Sequence, residues 1–261
     1  MNRIWLVIFV LGTLNGCKSK DGDLNVFSTD DDVNFGKEYA AQIIAAPQQF
    51  PVLDEQEYAP AYKSLRAIAS RITQSQHLLH PEEFAWQLYI IHNDSVLNAF
   101  CTPGGYIYVY TGLIKYLDSE DELAGVLGHE IAHADLRHST EQMTKQYGVG
   151  LLFQLIFGSS STISSMAGSL VNLGFSRADE TEADMQSVIY LNDTEYDARG
   201  AARFFEKLDA EGNGRGQLQF LNTHPNPGNR VEKIITKWKS LGSIEGKKFT
   251  ERYEQLKQSL P

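Results

Sequence analysis

Cysteine is scarce in this chain of 261 residues, which holds only Cys17 and Cys101. Two thiols cannot build a disulfide scaffold, nor can they supply a cysteine-ligated zinc site. A basic excess is missing too. Lys and Arg total 23 against 33 Asp and Glu, for a formal net charge of −10. No cationic surplus exists to neutralise phosphates, so general nucleic-acid binding is excluded. Long apolar runs are also absent. Ile4–Leu14 and Tyr147–Phe157 are each eleven residues, where a spanning helix needs about twenty. No repeat of roughly 20–50 residues occurs, which excludes a helical repeat array. What is present, 42% hydrophobic and 21% charged residues, is the composition of a globular protein.

Residues 1–16 read as an address. Arg3 precedes the apolar stretch Ile4–Leu14, which suits the core of a secretory signal. The ending Leu14-Asn15-Gly16-Cys17 resembles the lipobox of bacterial lipoproteins, which are cleaved before a cysteine that becomes acylated. The expectation is a signal peptide over 1–16, lipidation at Cys17, and a polar tether to Asp32 that spans roughly 50 Å at full stretch. Cys101 is then left alone and reads as a small buried thiol.

The remainder, 33–258, reads as one helix-rich α+β domain. Phe35, Tyr39 and Ile43 give Val33–Ala46 a helical period that Pro47 stops, and a second helix is expected over Glu55–Gln76. Phe84–His92 is aromatic and β-branched, as a strand should be. Two short strands follow between Ser95 and Tyr110, broken at Pro103-Gly104-Gly105. Helices are expected from there on, at about 111–117, 119–137, 139–156, 170–191, 198–210, 227–240 and 247–258.

The chemistry centres on His129-Glu130-Ile131-Ala132-His133. Ser119 and Glu122 match a capping box before it, and Leu123, Val126, Leu127 and Ile131 give the helix an apolar face. Four residues are just over one helical turn, so His129 and His133 project from one side and can share a tetrahedral metal. Glu130 points about 100° round the helix, where it can hold a metal-bound water without ligating the metal. A third ligand is available in Ser176–Asp184. Glu180 and Asp184 are again i and i+4. One carboxylate can complete a His₂Glu site while the other accepts a hydrogen bond from a ligand imidazole. Leu136 and Ser139 stand where a metzincin would need Gly and His, which excludes that subclass. His138, five residues after His133, falls on another face of a continuing helix and reads as structural.

These pieces resemble the zinc metallopeptidase family of the CAAX prenyl proteases, the HtpX-type heat-shock proteases and the BepA-type periplasmic proteases. The likeness is carried by Asn98-Ala99-Phe100 with Pro103-Gly104-Gly105, by His129–His133 with Arg137-His138-Ser139, by Arg177 with Glu180–Asp184, and by His224-Pro225 with Arg230. It implies a minimal gluzincin domain with a small β-sheet beside the zinc helix. One Zn²⁺ per chain would be held by His129, His133 and Glu180, with Glu130 as general base and Asp184 orienting a ligand. The strand at Asn98, Ala99 and Phe100 would pair with the substrate backbone, which grips any extended peptide through main-chain hydrogen bonds. His224 would stand near the zinc, supporting the oxyanion or acting as a fourth ligand that keeps the enzyme latent. Arg230 would be a nearby cation. Tyr147–Phe157 with the Gly158–Ser169 loop reads as a core helix and loop, or as a plug over the cleft of the kind BepA-type proteins carry.

The resulting expectation is a lipid-anchored endopeptidase on the periplasmic face of the outer membrane. Its substrates would be unfolded or misassembled envelope polypeptides, with the outer-membrane assembly machinery as a partner. Two alternatives stand beside it: a zinc-bound chaperone or assembly factor with latent proteolysis, and a zinc amidase acting on something other than protein. An intact Glu130 favours the enzyme, because a binding module needs the histidines but not that carboxylate.

Overall fold

The computed structural model describes residues 25–146, 174–211, 220, 222–225 and 228–261. The expected signal peptide, Cys17, most of the tether, and the 147–157 and 158–169 segments lie outside these residues.

The first helix, α1 (Thr29–Ala45), starts four residues ahead of the expected position. The Ser28 hydroxyl accepts from Asp31 N at 3.1 Å and the Asp31 carboxylate accepts from Ser28 N at 2.8 Å, which closes a capping box. The acidic run assigned to the tether is therefore a first helical turn, where carboxylates meet the positive end of the helix dipole. The preceding residues are packed as well. Asn25 Nδ2 donates to Thr140 Oγ1 at 3.0 Å, Phe27 is buried, and buried Asp32 pairs with Arg137. The tether expected to reach Asp32 thus ends no later than Asn25.

After α2 (Ala59–Thr73) come β1 (Gln87–Ile91), β2 (Ala99–Thr102) and β3 (Tyr106–Tyr110). They form a mixed sheet in the order β1-β3-β2, with β1 parallel and β2 antiparallel to β3. Side chains alternate strictly between its faces. Leu88, Ile90, Ala99, Cys101, Ile107 and Val109 join the main core, whereas Tyr89, Phe100, Tyr106, Tyr108 and Tyr110 pack toward Tyr39 and Ile43 of α1.

The short α3 (Thr111–Tyr116) leads into α4 (Glu120–Asp135), every residue of which is buried. An apolar face alone does not describe such a helix; it runs through the centre of the domain. Its acidic first turn is matched by cations. Glu120 is bound by Arg252 and the Tyr196 hydroxyl, and Asp121 pairs with Arg203. The expected Ser119–Glu122 capping box does not form. The Ser119 hydroxyl is taken by the Asp121 carboxylate at 2.5 Å, and Glu122 accepts from Asp118 N at 2.9 Å.

Beyond a turn at Leu136 and Arg137, α5 covers 138–146. Then follow α6 (Arg177–Asn192), α7 (Gly200–Glu211), α8 (Arg230–Ser240) and α9 (Thr250–Gln258). The Ser176–Asp179 capping box starts α6 at 177, later than the expected 170. Helix α4 lies against α6 and α7 at close range. A Cβ on Gly125 would meet Ala201 N at 2.2 Å, and one on Gly200 would meet Asp121 O at 1.8 Å, so both glycines are needed for backbone contact between α4 and α7. At the other end of α4, Asp135 accepts from Leu79 N, His80 N and the Tyr190 hydroxyl at 2.9, 2.8 and 2.5 Å. Among the described residues no helix is long and apolar enough to cross a membrane.

Candidate metal centre

One turn of α4 carries His129 and His133 to the same side, with their Nε2 atoms 3.0 Å apart. The first turn of α6, set by its Ser176 cap, brings Glu180 to both. Its Oε2 lies 3.4 Å from His129 Nε2 and its Oε1 3.4 Å from His133 Nε2. His224, just past the helical residues 222–223, enters from a third direction. Its Nδ1 is 3.1 Å from Glu180 Oε1 and 3.3 Å from His129 Nε2. All four side chains are buried, at no more than 1% exposure.

These separations fit a tetrahedral ion. Ligands about 2.0–2.2 Å from zinc stand about 3.3–3.6 Å from each other, close to the 3.0–3.4 Å spacing observed. The donor chemistry agrees, being three imidazoles and one carboxylate whose donor atoms all lie within 4.8 Å of one another. Glu180 Oε2 is buried and, among the described residues, makes no hydrogen bond although Arg230 Nη2 stands 3.3 Å away, which leaves its lone pairs available to a metal ion. The set can hold one Zn²⁺. His129, His133 and Glu180 are joined there by His224 as a fourth donor.

Charge is distributed to suit. Burial alone would lower the His129 pKa, but hydrogen bonds to Asp184 and Glu180 outweigh it and raise it to about 9. Burial takes the His133 imidazole well below its usual value. Glu180 is held below the carboxylate range because His224, His129 and His133 outweigh its desolvation. Glu130, buried beside them, is pushed up by desolvation. Its Oε1 makes no hydrogen bond and lies 3.5 Å from His224 Nε2.

Asp184 stands one turn after Glu180, its Oδ1 2.9 Å from His129 Nδ1. Arg230, the first residue of α8, does not face the cluster as a free cation. Its fork is engaged on Asp184 at 2.8 and 2.7 Å and its plane lies over Phe205, with Nη2 3.3 Å from Glu180 Oε2. Arg230 therefore acts on the site mainly through the carboxylate that holds His129.

β2 is an edge strand. Asn98 O accepts from Tyr110 N, so Asn98, Phe100 and Thr102 face β3 in hydrogen-bonded pairs. By alternation, the N–H and C=O of the buried Ala99 and Cys101 point away from β3, to a side where no strand pairs among the described residues. The Phe100 ring stacks on Tyr108 at 4.6 Å, on the face away from α4. Asn98 Oδ1 is buried without a hydrogen bond. Cys101 is a buried free thiol whose pKa is raised by burial.

The structure brings His138, expected on another face of a continuing helix, against His133. Helix α4 stops at Asp135 and Arg137 is left-handed at φ 62°, so the chain turns back and puts His138 Nδ1 2.9 Å from His133 Nδ1. Phe175, which sequence reasoning also passed over, stacks on the His133 ring at 3.9 Å. A sequence signal for the turn was present only in the acid–apolar–basic break Asp135-Leu136-Arg137 after a long helical run.

Comparison with known proteins agrees with this geometry. The profile of Peptidase family M48 matches residues 61–237, more than half of the chain. The chain is 36% identical over 159 residues to the mitochondrial metalloendopeptidase OMA1 of Arabidopsis thaliana, covering 60% of this chain and 32% of that protein. With the protein of the same name in Schizosaccharomyces pombe it shares 35% over 157 residues, 58% of this chain and 46% of the other. With the Beta-barrel assembly-enhancing protease of Yersinia pestis it shares 31% over 161 residues, 56% and 33% respectively. The matches span about a third to a half of the length of these relatives.

Proposed function

The chain belongs to peptidase family M48, and on that premise we propose that it is a zinc-dependent endopeptidase acting on unfolded or misassembled polypeptides of the cell envelope. The observation that carries the peptidase reading is Glu130, a buried carboxylate beside the donor cluster whose Oε1 makes no hydrogen bond among the described residues and lies 3.5 Å from His224 Nε2. A purely structural metal site has no use for it.

Zinc, when bound by His129, His133 and Glu180, supplies a Lewis acid that polarises the scissile carbonyl and acidifies water. The protein does the rest. Glu130, with its raised pKa, takes the proton of the attacking water as the new C–O bond forms, and returns it to the amide nitrogen as the C–N bond breaks. His224 Nε2, near Glu130, is placed to donate to the developing oxyanion. The N–H and C=O of Ala99 and Cys101 point away from β3, the side on which an extended substrate would pair, so grip would be independent of side-chain sequence. Asp184, locked by Arg230, holds the His129 ring.

The envelope assignment draws on two supports: the name of the Yersinia relative, and the signal-like sequence ending at Cys17. On this reading Cys17 is acylated and the domain sits on the periplasmic side of the outer membrane, within reach of assembly machinery.

A second reading, a zinc-bound chaperone with latent proteolysis, is favoured by one feature. His224 Nδ1 stands as a fourth protein donor, which leaves the cluster closed in the manner of structural zinc sites. Incubating an unfolded β-barrel protein with the zinc-loaded protein and with Glu130→Gln separates the two. Fragments from the native protein alone establish the peptidase. If neither yields fragments and His224→Ala releases none, the chaperone reading stands.

A further inference from the structure

His129 and His133 are ligand imidazoles of the same helix, yet they are held from behind by different devices. His129 Nδ1 meets the Asp184 carboxylate directly, at 2.9 Å. His133 Nδ1 meets no carboxylate; it meets another imidazole, His138 Nδ1, at 2.9 Å. The far nitrogen of that ring, His138 Nε2, lies 3.4 Å from Glu182 Oε2. His133 and His138 are buried, and Glu182 sits at the rim with its side chain 33% exposed.

The order of donors along this chain follows from its outer end for an ionised Glu182 and a neutral His138. An ionised carboxylate only accepts, so His138 Nε2 carries the proton that faces Glu182. The other nitrogen of a neutral His138, Nδ1, is then an acceptor, and His133 Nδ1 must donate to it. A neutral His133 protonated at Nδ1 keeps its lone pair on Nε2, the atom that faces His129 and Glu180. The geometry points to His138 as a positioning residue that, with Glu182 behind it, fixes the tautomer and ring orientation of His133 for zinc. Helix α6 then contributes three carboxylates at alternate positions. Glu180 is a ligand, Asp184 holds one ligand histidine directly, and Glu182 holds the other through an intervening ring. The left-handed turn at Arg137 makes this possible, because a continuing α4 would carry His138 away from His133.

This inference rests on the reading of His133 as a zinc ligand, and its test is chosen to fail separately from that reading. Long-range ¹H–¹⁵N spectra of the zinc-loaded full chain, labelled at histidine, should show His133 protonated at Nδ1 and His138 at Nε2. A ¹⁵N–¹⁵N coupling should cross the hydrogen bond between the two Nδ1 atoms. Zinc bound with a proton on His138 Nδ1, or with His133 ligating through Nδ1, overturns the proposal and leaves the peptidase reading intact. Failure to bind zinc at all overturns both. Zinc affinity, read by chelator competition, should weaken about 10–100-fold in His138→Phe. It should largely recover in His138→Asn, whose amide oxygen falls where Nδ1 stood. Equal affinity in wild type and His138→Phe overturns the proposal; if that variant does not fold, the spectra of the native protein decide.

Discussion

Arg230 and Asp184 face each other as a closed fork, with Nε on Oδ2 at 2.8 Å and Nη2 on Oδ1 at 2.7 Å, both side chains at most 2% exposed. Asp184 is thus fully committed, to Arg230 on one side and His129 on the other. The Arg230 charge and the hydrogen bonds from His129 and Arg230 outweigh desolvation and keep its pKa low. Replacing Arg230 leaves a buried carboxylate without its counter-charge. Arg230→Met should lower the unfolding free energy of the zinc-free protein by about 3–5 kcal/mol. Arg230→Lys keeps the charge but loses the fork, and should fall between that variant and wild type. Urea titrations of the three proteins read the difference.

Gly125 tests the contact between α4 and α7. Gly125→Ala drives a methyl into the backbone of Ala201, which cannot rotate away, and should cost at least about 3 kcal/mol. Gly128→Ala meets the Ser187 hydroxyl at 2.6 Å, a side-chain atom that can swing aside. It should cost clearly less. Equal midpoints in thermal unfolding would contradict this difference.

Zinc removal should abolish peptide cleavage and also loosen the fold, since the four donors come from α4, α6 and the segment at His224. With free zinc about 1,000-fold above its Kd, the metal adds roughly 4 kcal/mol of apparent stability. Calorimetry with and without chelator measures it, and the midpoint should depend on zinc concentration.

A surface pair gives a pH-dependent control remote from the site. Asp94 is held below the usual carboxylate range by Lys115, then by Thr111, against a small burial penalty. A lowered folded pKa contributes stability above the unfolded value of about 3.9, and that contribution is lost as pH falls through the folded value. Half-exposed, the pair is screened. Asp94→Asn should therefore cost less than about 1 kcal/mol at pH 7, nothing in strong acid, and less still in high salt.

Local spacing made much of this molecule legible. The i, i+4 placement of His129 with His133, and of Glu180 with Asp184, follows from helical geometry alone. The aromatic and β-branched run Phe84–His92 likewise read as a strand, and β1 lies within it. Contacts that depend on a single backbone reversal were not legible. Beyond the weak break at Asp135-Leu136-Arg137, no residue type says that Arg137 adopts a positive φ, so His138 read as lying on another face from the histidine it touches. The acids before Val33 read as solvated because acidic residues serve equally in a tether and in a first helical turn. The Ser28–Asp31 cap and the packing of Asp32 against Arg137 distinguish these. Convergence of His224 and Arg230 on the cluster is a long-range fact, and resemblance supplied it where composition could not.

The bare-backbone seam between Gly125 and Ala201, with Asp135 clamping the far end of the same helix, has a mechanical meaning. Where Gly125 lies under Ala201 the two backbones touch, so a slide of α4 along α7 would put a side chain where only a hydrogen fits. The helix carrying both histidines and Glu130 is thereby indexed to its neighbour, and the two ends of the candidate site share one fixed reference.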